Sequence, residues 1–217
     1  GFLLKARSPS CGIHGVNVFP DKHAALPSSR GAGRFAGAVL GRFPDHPVEH
    51  ERRLTNPRLW DDFVTWLFAL AGVRYARDQD GSAAGLAALH SRHRLTQIMF
   101  SSRDKKTLGG IVEEADSNAE DAWRAYTGVF RGAWARAPHA VGHWNVIQYV
   151  TRCLGGRLSA AEESRLGGLY EEFRSGRTPR SALVTCLRGL VLNCGLERLA
   201  GQAYLNPYPA DLGEVAD

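Results

Sequence analysis

The hydrophobic period changes part-way along this chain, and that change constrains the fold more than any other feature. In the first fifty residues the apolar positions form short runs, Leu3-Leu4 and Val16-Asn17-Val18-Phe19, separated by the turn-rich stretch Ser8 to Gly15. Runs of that length with β-branched members read as strands, so the chain opens strand, loop, strand. Asp21 to Gly33 is rich in Ser, Pro and Gly and reads as a surface loop leading into a short helix, Arg34 to Arg42, which Pro44 and Pro47 stop. Asn56-Pro57 is a helix start, an N-cap residue followed by Pro at the first helical position. Leu59, Phe63, Trp66, Leu67 and Leu70 then keep a 3.6-residue period to about Arg74.

Asp78 to Gly85 breaks that period with short polar residues and reads as a domain boundary. Beyond it the pattern predicts helices at about 84–100, 103–115, 119–136, 139–154, 160–174 and 179–199. Ser159 with Glu162 has the form of a capping box, and Thr178-Pro179 the form of an N-cap with Pro in the first turn. The expected architecture is α+β: a truncated α/β domain over 1–77, short strands plus helices, followed by an all-α multi-helix domain over 84–217.

A chain of 217 residues, 44% hydrophobic and 23% charged, buries one good core or two modest ones. Its apolar stretches, such as Val64 to Val73, are interrupted and far shorter than a bilayer span, so no membrane segment is expected. Gly-Phe-Leu-Leu-Lys at the N-terminus lacks the basic n-region and cleavage site of a signal peptide and reads as a start in mid-domain. Cys11, Cys153, Cys186 and Cys194 show neither zinc-site spacing nor disulfide density, which points to a reducing cytoplasm. The net charge is +5, and its distribution is uneven: residues 1–77 hold 11 Lys or Arg against 6 Asp or Glu, whereas 78–217 hold 16 of each.

Four groups of residues are candidate sites. Ser8-Pro9-Ser10-Cys11-Gly12 follows a strand, which places a thiol and two hydroxyls at the carboxyl edge of the sheet, where α/β folds carry their chemistry. Cys11 there is a nucleophile, a soft-metal ligand or an incidental turn residue. His90, His93, Arg94 and Gln97 recur at helical spacing with Arg103, Lys105 and Lys106 just beyond, either a phosphate-meeting face or a solvated helix with a core histidine. His139 and His143 lie four apart without a third ligand, and Asn145 and Gln148 join His143 either in tying buried helix ends together or in lining a groove. Cys186 and Cys194 sit in a helix apolar nearly all round and read as core, and Tyr204 to Pro209 reads as a stiff segment docked on the bundle.

Several of these stretches carry a resemblance. Lys5-Ala6-Arg7-Ser8-Pro9-Ser10-Cys11-Gly12, Gly31-Ala32-Gly33-Arg34-Phe35-Ala36 and Pro47-Val48-Glu49 resemble the C-terminal half of the thiouracil desulfidase (TudS-like) domain. Leu89-His90-Ser91-Arg92-His93-Arg94, His143-Trp144-Asn145-Val146-Ile147-Gln148 and Tyr204-Leu205-Asn206-Pro207 resemble the YbgA-like helical domain. The order of the two is similar to that in the two-domain 4-thiouridine tRNA desulfidases (RudS-like). The resemblance implies desulfuration of thiolated uracil by a four-iron four-sulfur (4Fe-4S) cluster held by three Cys, whose open iron is a thiophilic Lewis acid.

On this resemblance Cys11 matches the third cluster ligand and Ser8 a substrate-side, catalytic position. His90, Arg92, His93, Arg94, His143, Asn145 and Gln148 are the implied RNA contacts, with tRNA or a thiolated pyrimidine as partner. No residue matches the first two cluster ligands, which the family carries in earlier strands. The chain therefore reads as a fragment or as a relative that keeps the recognition half. A sheet lacking its first strands would expose an edge and an apolar face, which predicts poor solubility or a homodimer. Three readings stay open: a desulfidase, a non-catalytic RNA-binding module and a protein-interaction helical module.

Overall fold

The computed structural model describes residues 1–21, 23, 25–136 and 140–212. Its contacts divide the chain into two compact units, Gly1–Phe63 and Val64–Asp217. The architecture is α+β, with the helices making up most of it.

The first unit holds β1 (Phe2–Leu4), β2 (Val16–Val18), β3 (Ser29–Gly31), α1 (Arg34–Arg42), β4 (Val48–His50) and the first residues of α2 (Pro57–Gln79). β1 and β4 pair in parallel, Phe2 opposite Val48 and Leu4 opposite His50, while β2 and β3 pair antiparallel, Val16 opposite Gly31. The β1, β2 and α1 positions follow the sequence pattern. β3 and β4 do not: Ser-Arg-Gly and Val-Glu-His have no apolar alternation, and they are strands because a partner strand supplies their hydrogen bonds. The side chain of Asn56 caps α2, accepting from Arg58 N at 3.0 Å and Leu59 N at 3.3 Å. The helix runs five residues past the expected end at Arg74, and the stretch 78–85 takes in the end of α2, the turn after it and the first residues of the next helix.

The second unit contains the rest of α2, then α3 (Ala83–Arg92), α4 (Arg94–Met99), α5 (Ser102–Glu113), α6 (Ala119–Ala135), α7 (Ala140–Leu154), α8 (Ala160–Arg174), α9 (Arg180–Asn193) and α10 (Glu197–Ala200). Its core is built from stripes at helical spacing. Trp123, Tyr126, Phe130 and Trp134 line one face of α6, and Leu183, Leu187, Leu190 and Val191 line α9. Burial of each such side chain contributes roughly 2 kcal/mol. Gly142 of α7 lies so close to the Met99 carbonyl that any Cβ there would collide with it, which lets α7 pack directly on α4. Cys186 and Cys194 pack half-buried against this core, as their apolar helix predicts.

Two predicted helices are broken. The 84–100 helix is interrupted at His93, and the 179–199 helix ends at Asn193, after which Gly195 takes a left-handed conformation (φ 67°) and α10 begins. The first break is held by a distant segment. Gln202 donates to Ser91 O at 3.1 Å and accepts from Leu95 N at 3.2 Å, and Ala203 N donates to Arg92 O at 3.0 Å. The backbone groups freed by the interruption are thereby paired, a tertiary compensation invisible to local periodicity. Among the described residues no helix is long and apolar enough to cross a membrane.

Candidate functional site

The Ser8–Gly12 loop leaves the carboxyl end of β1, and Glu51 follows the carboxyl end of its parallel partner β4. Glu51 ties the start of the loop, accepting from Ala6 N at 2.8 Å and pairing with Lys5 Nζ at 3.0 Å. The Ala6 hydrogen bond first, and then the Lys5 ammonium, hold its carboxyl down to about 2. Ser8 Oγ accepts from Cys11 N at 3.1 Å and Ser10 N at 3.3 Å, a local turn motif that leaves the hydroxyl proton to be donated outward.

The far side of the loop caps α1. Ser10 O accepts from Phe35 N and Ala36 N, Pro9 O from Arg34 N, and Gly12 O from Gly33 N. Gly33 is sterically required, because a Cβ would overlap the Ser10 carbonyl. The loop is thus a rigid platform that presents a half-buried Cys11 thiol and the Ser8 hydroxyl. A 4Fe-4S cluster needs three thiolates, and no group of three His, Cys, Asp or Glu side chains able to hold a metal occurs among the described residues. These residues do not by themselves fit the group; Cys11 is one donor.

The helical unit gathers the other candidates around the α3–α4 break, and separates them. His90 is half-buried, its Nδ1 3.2 Å from Gln97 Nε2 and 3.3 Å from Tyr126 OH, and burial lowers its pKa. His93 is buried, with its ring edge-on to Phe130, and burial holds its pKa down at about 4. His143 is buried, 2.9 Å from Tyr204 OH and edge-on to Phe173. Of the two open readings of His143, this is the buried tie, joining α7 to the segment that follows α10. Neither the His93 nor the His143 imidazole faces solvent, and His139 lies outside the described residues. Tyr204 also lies beneath the Arg180 guanidinium, 5.8 Å from its ring centre, and Arg180 donates to Thr65. The three stretches quoted for the helical domain therefore meet in space through Gln202, Tyr204 and His143.

Arg94, Asn145 and Gln148 do come together on an outward face. They line a shallow groove of about 300 Å³ with Lys105 and Arg152, and Phe100 and Tyr149 form its aromatic part. Arg94 lies over the Tyr149 ring, 5.4 Å from its centre. Asn145, Gln148 and Arg152 stand on one face of α7 at three- and four-residue spacing. Among the described residues Arg94, Lys105 and Arg152 make no ion pair, and Asp104, beside the groove, is paired with Arg136 at 2.8 Å. A second groove, lined by Arg94, Tyr149, Cys153 and Arg198, adjoins the first across the Arg94–Tyr149 pair. Arg152 and Tyr149 are the site residues that the sequence reading missed; the signal was their register with Asn145 and Gln148. Arg92, two residues before Arg94, lines a different cavity.

Comparison with known proteins gives the same domain. The profile of a family described as "Protein of unknown function (DUF1722)" matches residues 95–209. The Escherichia coli (strain K12) protein named "Uncharacterized protein YbgA" is 21% identical over 154 residues, which cover 70% of this chain and 91% of that protein. No solved structure matches the chain.

Proposed function

On the premise that this chain belongs to the DUF1722 family, we propose that its helical unit is the RNA-contacting part of a desulfidase that removes sulfur from thiolated uracil, 4-thiouridine in tRNA. The observation that carries the reading is the α4–α7 groove. Three cations that make no ion pair among the described residues, two side-chain amides and two aromatic rings lie within one concave face, the combination used to hold phosphates while stacking on and reading an unpaired base. The balanced overall charge of residues 78–217 matters less than this local excess, because neighbouring acids such as Asp104 are already neutralised.

The sulfur-removing half of the reading rests on the resemblance of the Ser8–Gly12 loop. What supports it here is its position at the carboxyl ends of parallel strands, a Ser8 hydroxyl free to donate to a leaving or entering group, and an accessible Cys11 thiol. Cys11 is proposed as one cluster ligand, with the remaining thiolates supplied from outside these residues. Four free thiols suit a cytoplasmic setting.

The test is tRNA binding by fluorescence anisotropy across a salt series. The chain should bind tRNA with a clear salt slope, and Arg94→Ala and Arg152→Ala should each weaken binding and reduce the slope by about 1. Arg124→Ala, an exposed arginine on α6 already paired with Glu120 and Asp121, should change neither. Absence of tRNA binding at low salt would sink the proposal and leave the protein-interaction reading.

A further inference from the structure

A cavity of about 750 Å³ in the helical unit plays no part in the groove described above. It lies between the second half of α2, α3, α4 and the segment that follows Gln202, within the 300–1,000 Å³ range of small-molecule sites. One wall is the small-residue face of α2, Ala69, Gly72 and Ala76, and Phe68, Tyr75, Trp134 and Tyr208 supply aromatic surface around it. Tyr75 is 66% exposed, so its ring is not used up in packing. Such a slot accepts a flat ring.

Polar side chains are interspersed in its lining, Asp80, Arg92, His93, Thr96, Arg180 and Asn206 among them. His93 Nδ1 and Trp134 Nε1 are both buried and have no hydrogen-bond partner among the described residues, and both side chains belong to the cavity lining. Two orphaned buried polar atoms beside one cavity are unusual. Arg92, exposed and without an ion pair among the described residues, stands at the last turn of α3. Asp80 stands before the first turn, roughly 15 Å away along the helix, and its carboxylate is occupied by Ser82 N at 3.0 Å. Arg180 also lines the cavity, buried, donating to Thr65 and lying over the Tyr204 ring, so the exposed cation of the cavity is Arg92. Arg92 is placed to meet an anionic group of a bound ligand.

We propose that this cavity binds a nucleotide, a planar heteroaromatic base between the α2 face and the aromatic side chains with its phosphate on Arg92. The nucleotide is either free or one unit of an RNA strand; both present the same chemistry. The site shares no residue with the groove residues Arg94, Lys105 and Arg152, so its failure and that of the proposed function are separable.

The test is calorimetric titration of the full chain with the four ribonucleoside 5′-monophosphates, inorganic phosphate and a short single-stranded RNA. Gly72→Leu is the blocking variant, because a Cβ at Gly72 meets nothing within 4 Å and the side chain enters open space. Arg92→Ala is the second, with melting curves confirming that both fold. Saturable binding of a monophosphate, lost in Gly72→Leu and weakened about tenfold or more in Arg92→Ala, supports a free-nucleotide site. The same pattern seen only with the RNA supports the strand-borne case. Arg94→Ala should leave monophosphate binding unchanged. Binding of inorganic phosphate as tight as that of the nucleotides, no saturable binding up to millimolar concentration, or binding untouched by Gly72→Leu would each overturn the proposal.

Discussion

His93 couples the core of the helical unit to pH. Its imidazole is buried and neutral when folded, with a pKa near 4 set first by desolvation and then by the neighbouring Arg92 charge, against an ordinary value of 6.5. The unfolded chain therefore binds the extra proton as pH falls through 6.5, and the folded chain does not until about 4. Stability is at its full value above pH 6.5 and declines toward pH 4, by about 2 kcal/mol at pH 5 from this residue alone. Half-buried His90 is shifted in the same direction. His93→Phe, which keeps an aromatic edge against Phe130, should flatten most of the acid limb in melting curves at pH 7.5 and pH 5; an unchanged limb would refute the assignment. In the first unit Gly33→Ala should cost about 1–3 kcal/mol in a denaturant titration, because its Cβ meets the Ser10 carbonyl, a backbone atom that cannot turn aside.

At the scale of elements, the joint between α3 and α4 is the critical piece. Gln202 pairs one donor and one acceptor left open by the broken helix, so Gln202→Ala should destabilise the unit by about 2 kcal/mol and raise hydrogen-exchange rates at Leu95 first. The capping box of α8 is simpler. Ser159→Ala removes the hydroxyl that accepts from Glu162 N and leaves Glu162 accepting from the backbone N–H, and a loss of about 1 kcal/mol is expected in thermal unfolding. The contrast between these two ends shows what was legible in the sequence. Ser159 and Glu162 announce a helix start three residues apart, and the helix begins there. The break at His93 was not legible, because no Gly or Pro from Leu86 to Phe100 marks it and the groups that compensate the break lie more than a hundred residues away. β3 and β4 were missed for the same kind of reason, a partner strand standing in for local propensity.

At the scale of the whole molecule, every member of the large hydrophobic core lies between Ala69 and Leu205. Residues 57–217, which keep α2 whole, should therefore unfold cooperatively when expressed alone, with a midpoint within a few degrees of the main transition of the full chain. A broad, non-cooperative melt would mean that the first unit contributes to that core. The candidate groove was half legible: Arg94, Asn145 and Gln148 were named from spacing, whereas the inward positions of His93 and His143 depend on how α4 and α7 are rotated in the bundle. That rotation gives chain length at the joint a meaning of its own. Arg92 and Arg94 serve different recesses from opposite sides of a single residue. One residue inserted or deleted between them would turn the whole of α4 by about 100° on its axis, carrying Arg94 out of its groove and Gln97 away from His90. Residue count in this stretch is thus fixed as firmly as residue identity, whereas the glycine turns at 155–156 and 176 are where an inserted residue should be tolerated.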